Sequence, residues 1–259
     1  MSEDYGIVDA NAKVCQDIIL SKISKSKFAD NITIKGGVVM HNISNDSRRA
    51  TRDIDLDFIK YSIEDNYIFQ FIEKLNNVND QIEIKIIGTI KPLSHQDYNG
   101  KRVHVELSDE FNNKIQAKLD IGVHKDFDVS QEEFYFDLNN IGESAKLFVN
   151  SKEQIFTEKL KSLLKFQILS SRYKDVLDLY YLINYTMLDK CKLKLYFEKI
   201  IFTNTILEIN SIIDITNKLE DIFSNERYMY NLSLVQNNWL QVDLIECTQS
   251  IVNFIKTLK

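Results

Sequence analysis

The stretch Ile34–Phe58, IKGGVVMHNISNDSRRATRDIDLDF, ties a glycine pair to a run of alternating aspartates. Asp53, Asp55 and Asp57 stand at every second position, with Ile54, Leu56 and Phe58 in register between and after them. Alternation in a strand sends the three carboxylates to one face and the apolar side chains to the other, so the run predicts a strand with one face in a core. Strands are depleted in aspartate, and like charges this close repel unless something positive lies among them. A plain solvated face would show the same pattern. A calcium loop would not: Asp53, Asp55, Asp57 and Glu64 have its spacing, but Phe58 stands where that loop needs a glycine for its turn.

Joining the aspartates to Gly36 and Gly37 gives a third reading. NITIKGG predicts a short strand that ends in the glycine pair and turns into a brief apolar helix, Val38 to Ile43. Backbone N–H groups at such a turn point at an anion, and the helix dipole adds attraction, so the turn suits a phosphate. A following D-x-D strand supplies carboxylates that hold Mg²⁺ against a nucleotide triphosphate. The metal would supply the positive charge that the aspartates lack.

Composition narrows the class. A chain of 259 residues with 44% hydrophobic residues can bury a sizeable core. A net charge of −6 argues against a protein that coats nucleic acid, so any RNA contact must be local. Cys15, Cys191 and Cys247 are scattered and lack metal-ligand spacing, which predicts reduced thiols in a cytoplasmic protein. The run MSEDYGIVDA has no basic, apolar leader, and no window is apolar enough to span a bilayer, so neither export nor a membrane is expected.

Periodicity changes once along the chain. Ala12, Cys15, Ile18, Ile19 and Ile23 recur at helical spacing between Asp9, a capping candidate, and about Lys27. A helix is expected from Glu64 to Leu75, and strands at QIEIKIIGTI, KRVHVEL and KIQAKLDIGV. The linking SDEFNNK carries an Asn pair that suits a hairpin turn. From Ser151 the pattern is helical almost to Lys259. This predicts an α+β chain: a mixed sheet with helices over residues 1–150 and an all-helical domain over residues 151–259.

These stretches together resemble the AbiEii-type nucleotidyltransferase toxins, members of the polymerase-β-like nucleotidyltransferase superfamily. KGG followed by RRATRDIDLDF carries the glycine turn and the D-x-D strand. AKLDIGV places Asp120 where the superfamily has its third metal-binding carboxylate. FTEKLKSLL carries Glu158 and Lys159, similar to a motif with a functional lysine. SRYKDVLDLYYL carries Arg172, Lys174, Asp175 and Asp178, close to the R-x-[RK]-D-x-x-D-L signature. The family usually has Ser or Thr after the glycine pair; here Val38 leaves that contact to backbone donors.

The resemblance implies a polymerase-β-like fold in the first domain and a Mg²⁺-dependent transfer of NMP from an NTP to a hydroxyl. Asp53, Asp55 and Asp120 would be the metal ligands, with Asp120 also orienting or deprotonating the acceptor, and Lys159 would offset triphosphate charge. Gly36, Gly37, Thr51, Arg52, Arg172 and Asp175 would contact the nucleotide, while Asp57 would stay outside the metal's direct ligands, as a supporting or solvated residue. Arg48, Arg49 and Arg52 either grip phosphate or balance the acids. Asp175 and Asp178 either touch base and ribose or anchor the helices through Arg172 and Lys174. His41, His95, His104 and His124 show no ligand spacing and are expected in loops, turns or strands. The implied setting is a type IV toxin–antitoxin or phage-defence system, with abortive infection as its output, a tRNA 3′ end as acceptor and a cognate antitoxin as partner. A transferase acting on a protein or small molecule, and a catalytically silent nucleotide-binding protein, are the alternatives.

Overall fold

In the computed structural model, which describes residues 7–46, 48–49, 51–78, 81–93, 100–123, 131–234 and 238–258, the aspartate run is a strand. Its Ile54, Leu56 and Phe58 are fully buried, as the alternation requires. The chain divides into two units, Met1–Asn150 and Ser151–Lys259.

The first unit runs α1 (Ile7–Lys25), β1 (Ile32–Lys35), α2 (Gly36–Ser44), β2 (Asp53–Phe58), α3 (Asp65–Leu75), β3 (Glu83–Pro92), β4 (Lys101–Ser108), β5 (Lys114–Val123), β6 (Glu132–Leu138) and β7 (Glu143–Val149). Its strands form a seven-stranded sheet in the order β3-β4-β5-β2-β1-β7-β6. The sheet is mixed: β2 pairs antiparallel with β1 and parallel with β5, while β1 pairs parallel with β7. Asp109 builds the β4–β5 turn by accepting from the backbone N–H of Phe111 (3.0 Å) and Asn113 (2.8 Å), and Asn112 takes the left-handed conformation that asparagine tolerates.

Several boundaries differ from expectation. Asp9 does not cap α1 but lies inside its first turn. The hairpin β6–β7 was not anticipated from sequence, although Phe136 and Leu138 alternate with exposed Tyr135 and Asp137, and Ala145, Leu147 and Val149 are buried in turn. Gly142, at φ +67, supplies the turn between these strands.

The sheet's apolar face packs on helices through an aromatic cluster. Phe71 of α3 meets Phe28 (5.4 Å) and Phe58 (5.2 Å) edge to face, and Tyr61 meets both Phe28 and Phe58. Lys22 of α1 is buried and donates to the Leu75 carbonyl (3.4 Å) at the end of α3. Burial pushes the Cys15 thiol up to about 12, so it behaves as a small core side chain.

The second unit is helical: α4 (Lys152–Phe166), α5 (Tyr173–Tyr185), α6 (Lys190–Tyr196) continued by a π-helical turn (Phe197–Phe202), α7 (Ile212–Ser224), α8 (Glu226–Ser233) and α9 (Leu244–Lys256). Side-chain caps start most of them. Ser151, Asp189, Ser211, Asn225 and Asp243 each accept from a backbone N–H in the first turn. Helix α5 packs against α4 and α9. Its Tyr180 is buried and donates to Glu246 Oε1 (3.0 Å). Among the described residues no helix is long and apolar enough to cross a membrane.

Phe71→Ala removes the ring that Phe28 and Phe58 share, and is expected to cost about 3–5 kcal/mol in urea unfolding. A loss below about 1 kcal/mol would mean that the cluster does not hold the sheet to α3.

Candidate active site

The polar face of β2 is built by register. Asp55 sits opposite Asp120 of the parallel neighbour β5, and Asp53 sits opposite Lys118. On the other side Lys35 of β1 is opposite Asp55 and Thr33 opposite Asp57. The antiparallel β4 then sets Arg102 opposite Asp120 and His104 opposite Lys118. Because alternate residues share a face, Asp53, Asp55, Asp57, Lys118, Asp120 and Arg102 converge on one surface.

Cations from neighbouring strands separate the carboxylates. Lys118 Nζ lies 2.7 Å from Asp53 Oδ1, and Lys35 Nζ lies 2.6 Å from Asp57 Oδ1. Arg102 makes a two-pronged contact, Nε to Asp120 Oδ1 and Nη2 to Asp120 Oδ2, both at 2.8 Å. The Asp120 hydrogen bonds, aided by the charges of Asp120, Asp53 and Asp55, raise the Arg102 pKa against the opposing cost of burial. Asp53 has a side chain 40% exposed, whereas that of Asp120 is only 8% exposed. Asp57 is buried against Lys35, so the solvated reading of it is set aside.

The glycine pair lies directly against this face. Gly36 has φ +65, and a Cβ there would come within 2.2 Å of Asp55 Oδ2. A Cβ on Gly37 would come within 2.4 Å of Thr51 Oγ1. Both glycines are thus needed for close approach, one to a carboxylate and one to a hydroxyl. Thr51 is further anchored through its carbonyl, which accepts from Gln16 Nε2 at 2.7 Å. Helix α2 starts at Gly36, and Val38 is fully buried, so it offers the core a side chain where the family usually has a hydroxyl.

The basic run beside the acids disperses. Arg52 Nε pairs with Asp9 Oδ1 at 2.6 Å, Arg48 with Asp46, and Arg49 is buried. His41 is on α2, contrary to the expectation of a loop, turn or strand, and His104 is on β4. His95 and His124 lie outside the described residues. Burial, followed by the charge of Lys13, lowers the His41 pKa to about 4.

Among the described residues no three histidine, cysteine or acidic side chains are gathered into a ready metal site. Asp53, Asp55 and Asp120 nonetheless form a donor set of hard carboxylate oxygens on one face, and the Gly36 approach leaves Asp55 room at the turn. That chemistry suits Mg²⁺.

Residues 18–222 match the family model described as nucleotidyl transferase AbiEii toxin, Type IV TA system. The chain belongs to the AbiEii family. A comparison with curated proteins returns no match. Membership establishes a nucleotidyltransferase-type toxin whose system includes an antitoxin, and the mixed sheet followed by helices is consistent with the nucleotidyltransferase fold. The AbiEii match spans the β2 carboxylates, β5 and the motifs of α4 and α5.

In the helical unit of this AbiEii chain, Lys159 of α4 reaches two carboxylates of α5: Asp175 Oδ1 at 2.5 Å and Asp178 Oδ2 at 2.7 Å. Asp175 and Asp178 are thus held by Lys159, a partner not considered for them from sequence. Arg172 is exposed at the residue before α5, and its backbone N–H donates to Ser170 Oγ. Arg102 and Lys35 were missed by sequence reasoning. Lys35 directly precedes the glycine pair, and Arg102 becomes legible once the hairpin after Ser108 fixes which β4 residue faces Asp120.

Two outcomes test this geometry. Gly142→Ala isolates the backbone cost, because φ is +67 and a Cβ there meets nothing within 4 Å. It should cost about 1–2 kcal/mol. Gly36→Ala adds the collision with Asp55 and should cost measurably more in the same denaturant titration; equal losses would remove the close-approach argument. For His41, the folded pKa of about 4 lies below the ordinary 6.5, so its contribution is full above pH 6.5 and is lost as pH falls toward 4. His41→Gln should flatten the unfolding free energy across that window.

Proposed function

We propose that this AbiEii chain is a Mg²⁺-dependent nucleotidyltransferase (EC 2.7.7 type) that moves NMP from an NTP to a hydroxyl of an RNA acceptor such as the tRNA 3′ end, releasing pyrophosphate. The observation that carries this reading is the register match of Asp55 with Asp120, with Asp53 on the same face and Gly36 against Asp55. Acceptor choice would rest on stem shape and a single-stranded end, as a net charge of −6 favours a small RNA footprint.

Asp53, Asp55 and Asp120 would hold the metal. The chemistry that bound Mg²⁺ supplies is activation of the acceptor oxygen and neutralisation of the leaving pyrophosphate. Asp120, the more buried carboxylate, orients the acceptor hydroxyl and accepts its proton. Gly36 and Gly37 would present backbone N–H groups at the start of α2 to phosphate, with the Thr51 hydroxyl against Gly37. In the helical unit the Lys159 ammonium is held by Asp175 and Asp178. The chain acts in the cytoplasm as a phage-defence toxin held in check by its antitoxin.

The test incubates the protein with each α-labelled NTP, Mg²⁺ and total tRNA. Label in RNA is expected. Label in a protein or small molecule would move the acceptor class, and no transfer with any NTP would leave a nucleotide-binding protein. Asp53→Ala should lower transfer at least about 100-fold, the scale of losing transition-state charge stabilisation, and unchanged transfer would remove Asp53 from the metal site.

A further inference from the structure

The carboxylates assigned to the metal already have positive partners, and those partners belong to the strands on which the site is built. Arg102 grips both oxygens of Asp120 at 2.8 Å, and Lys118 holds Asp53 at 2.7 Å. Asp53, Asp55 and Asp120 carry three formal negative charges; Lys118 and Arg102 return two positive ones, the charge of one divalent cation. The two pairs are not sealed in. Arg102 is 38% exposed and Lys118 is 27% exposed, so each can swing toward water on its own stem, while Asp120 is fixed at 8%.

We propose that Arg102, assisted by Lys118, is a positioning residue that stands in for the divalent cation and couples metal loading to nucleotide loading. This rests on the metal assignment made above. A metal arriving alone must take Asp120 from a two-pronged guanidinium and Asp53 from an ammonium. It then leaves both cations beside a dication, with like charges close together. A metal arriving with a triphosphate brings anionic oxygens that give the displaced guanidinium and ammonium new partners. Exchange is therefore unfavourable for the metal alone and favourable for the metal with nucleotide, which is positive cooperativity between the two ligands. Until then Arg102 holds Asp120 in place through both oxygens. Substituting it loosens this coupling without removing any carboxylate.

The experiment measures Mn²⁺ binding to the full chain by the electron paramagnetic resonance signal of free Mn²⁺, with and without a non-hydrolysable NTP analogue. Wild type should bind Mn²⁺ weakly alone and much more tightly with the analogue. Arg102→Gln should bind Mn²⁺ alone at least about tenfold more tightly, the scale of one charge-assisted hydrogen bond, and the enhancement by nucleotide should shrink to match. Arg102→Lys keeps the charge but loses the fork, and should shift in the same direction by less. It carries the test if circular dichroism shows Arg102→Gln unfolded. Wild-type Mn²⁺ affinity or undiminished nucleotide coupling in folded variants would overturn the coupling role and leave the metal site standing. Absence of binding in wild type and variants, with nucleotide present, would overturn both.

Discussion

Carboxylates crowded on adjacent strands of one sheet face repel one another unless positive charge reaches them from close by. Asp53, Asp55, Asp57 and Asp120 impose that condition on the first unit, and the fold meets it by alternating the sign of charge across strands. Lys35 answers Asp57 from β1, Lys118 answers Asp53 from β5, and Arg102 answers Asp120 from β4. Each answer depends on register. A one-residue slip of β4 against β5 would carry Arg102 to the opposite face and place Val103 before Asp120.

Stability is therefore not the main thing these pairs contribute. The buried Lys35–Asp57 pair recovers roughly what its desolvation costs, and the more exposed pairs are screened by water, so the net gain of each is small. Their effect is on uniqueness, because a misregistered sheet would bury unbalanced charge. The hydrophobic contribution comes from the other face, where Ile54, Leu56 and Phe58 are buried and Phe58 meets the Phe71 ring of the aromatic cluster. One six-residue strand thus serves packing with its even positions and electrostatics with its odd ones.

Much of this was legible in the amino-acid sequence. The D-x-D alternation announced β2 and its two faces, the glycine pair announced the turn into α2, and the Asn pair announced the β4–β5 hairpin. What sequence could not supply was pairing across elements. The period of KRVHVEL puts Arg102 and His104 on one face, but only the hairpin register says that Arg102 meets Asp120. Likewise, helical spacing offers Lys159 partners on its own helix, whereas the packing of α4 on α5 brings it to Asp175 and Asp178. The hairpin β6–β7 lies within the 1–150 span expected to hold the mixed sheet, but its two strands were not anticipated although their alternation is clear.

That late hairpin has a consequence for synthesis. Strand β1, which delivers the glycine turn, lies between β2 and β7, and its Thr33 and Ile34 are matched with Phe148 and Val149. The Asn150 backbone N–H then donates to the Ile34 carbonyl (3.2 Å). A nascent chain that has not yet produced these residues leaves β1 as an open sheet edge, with its hydrogen-bonding groups facing water. The strand that carries the glycine turn is fully walled in only after the whole first unit has left the ribosome.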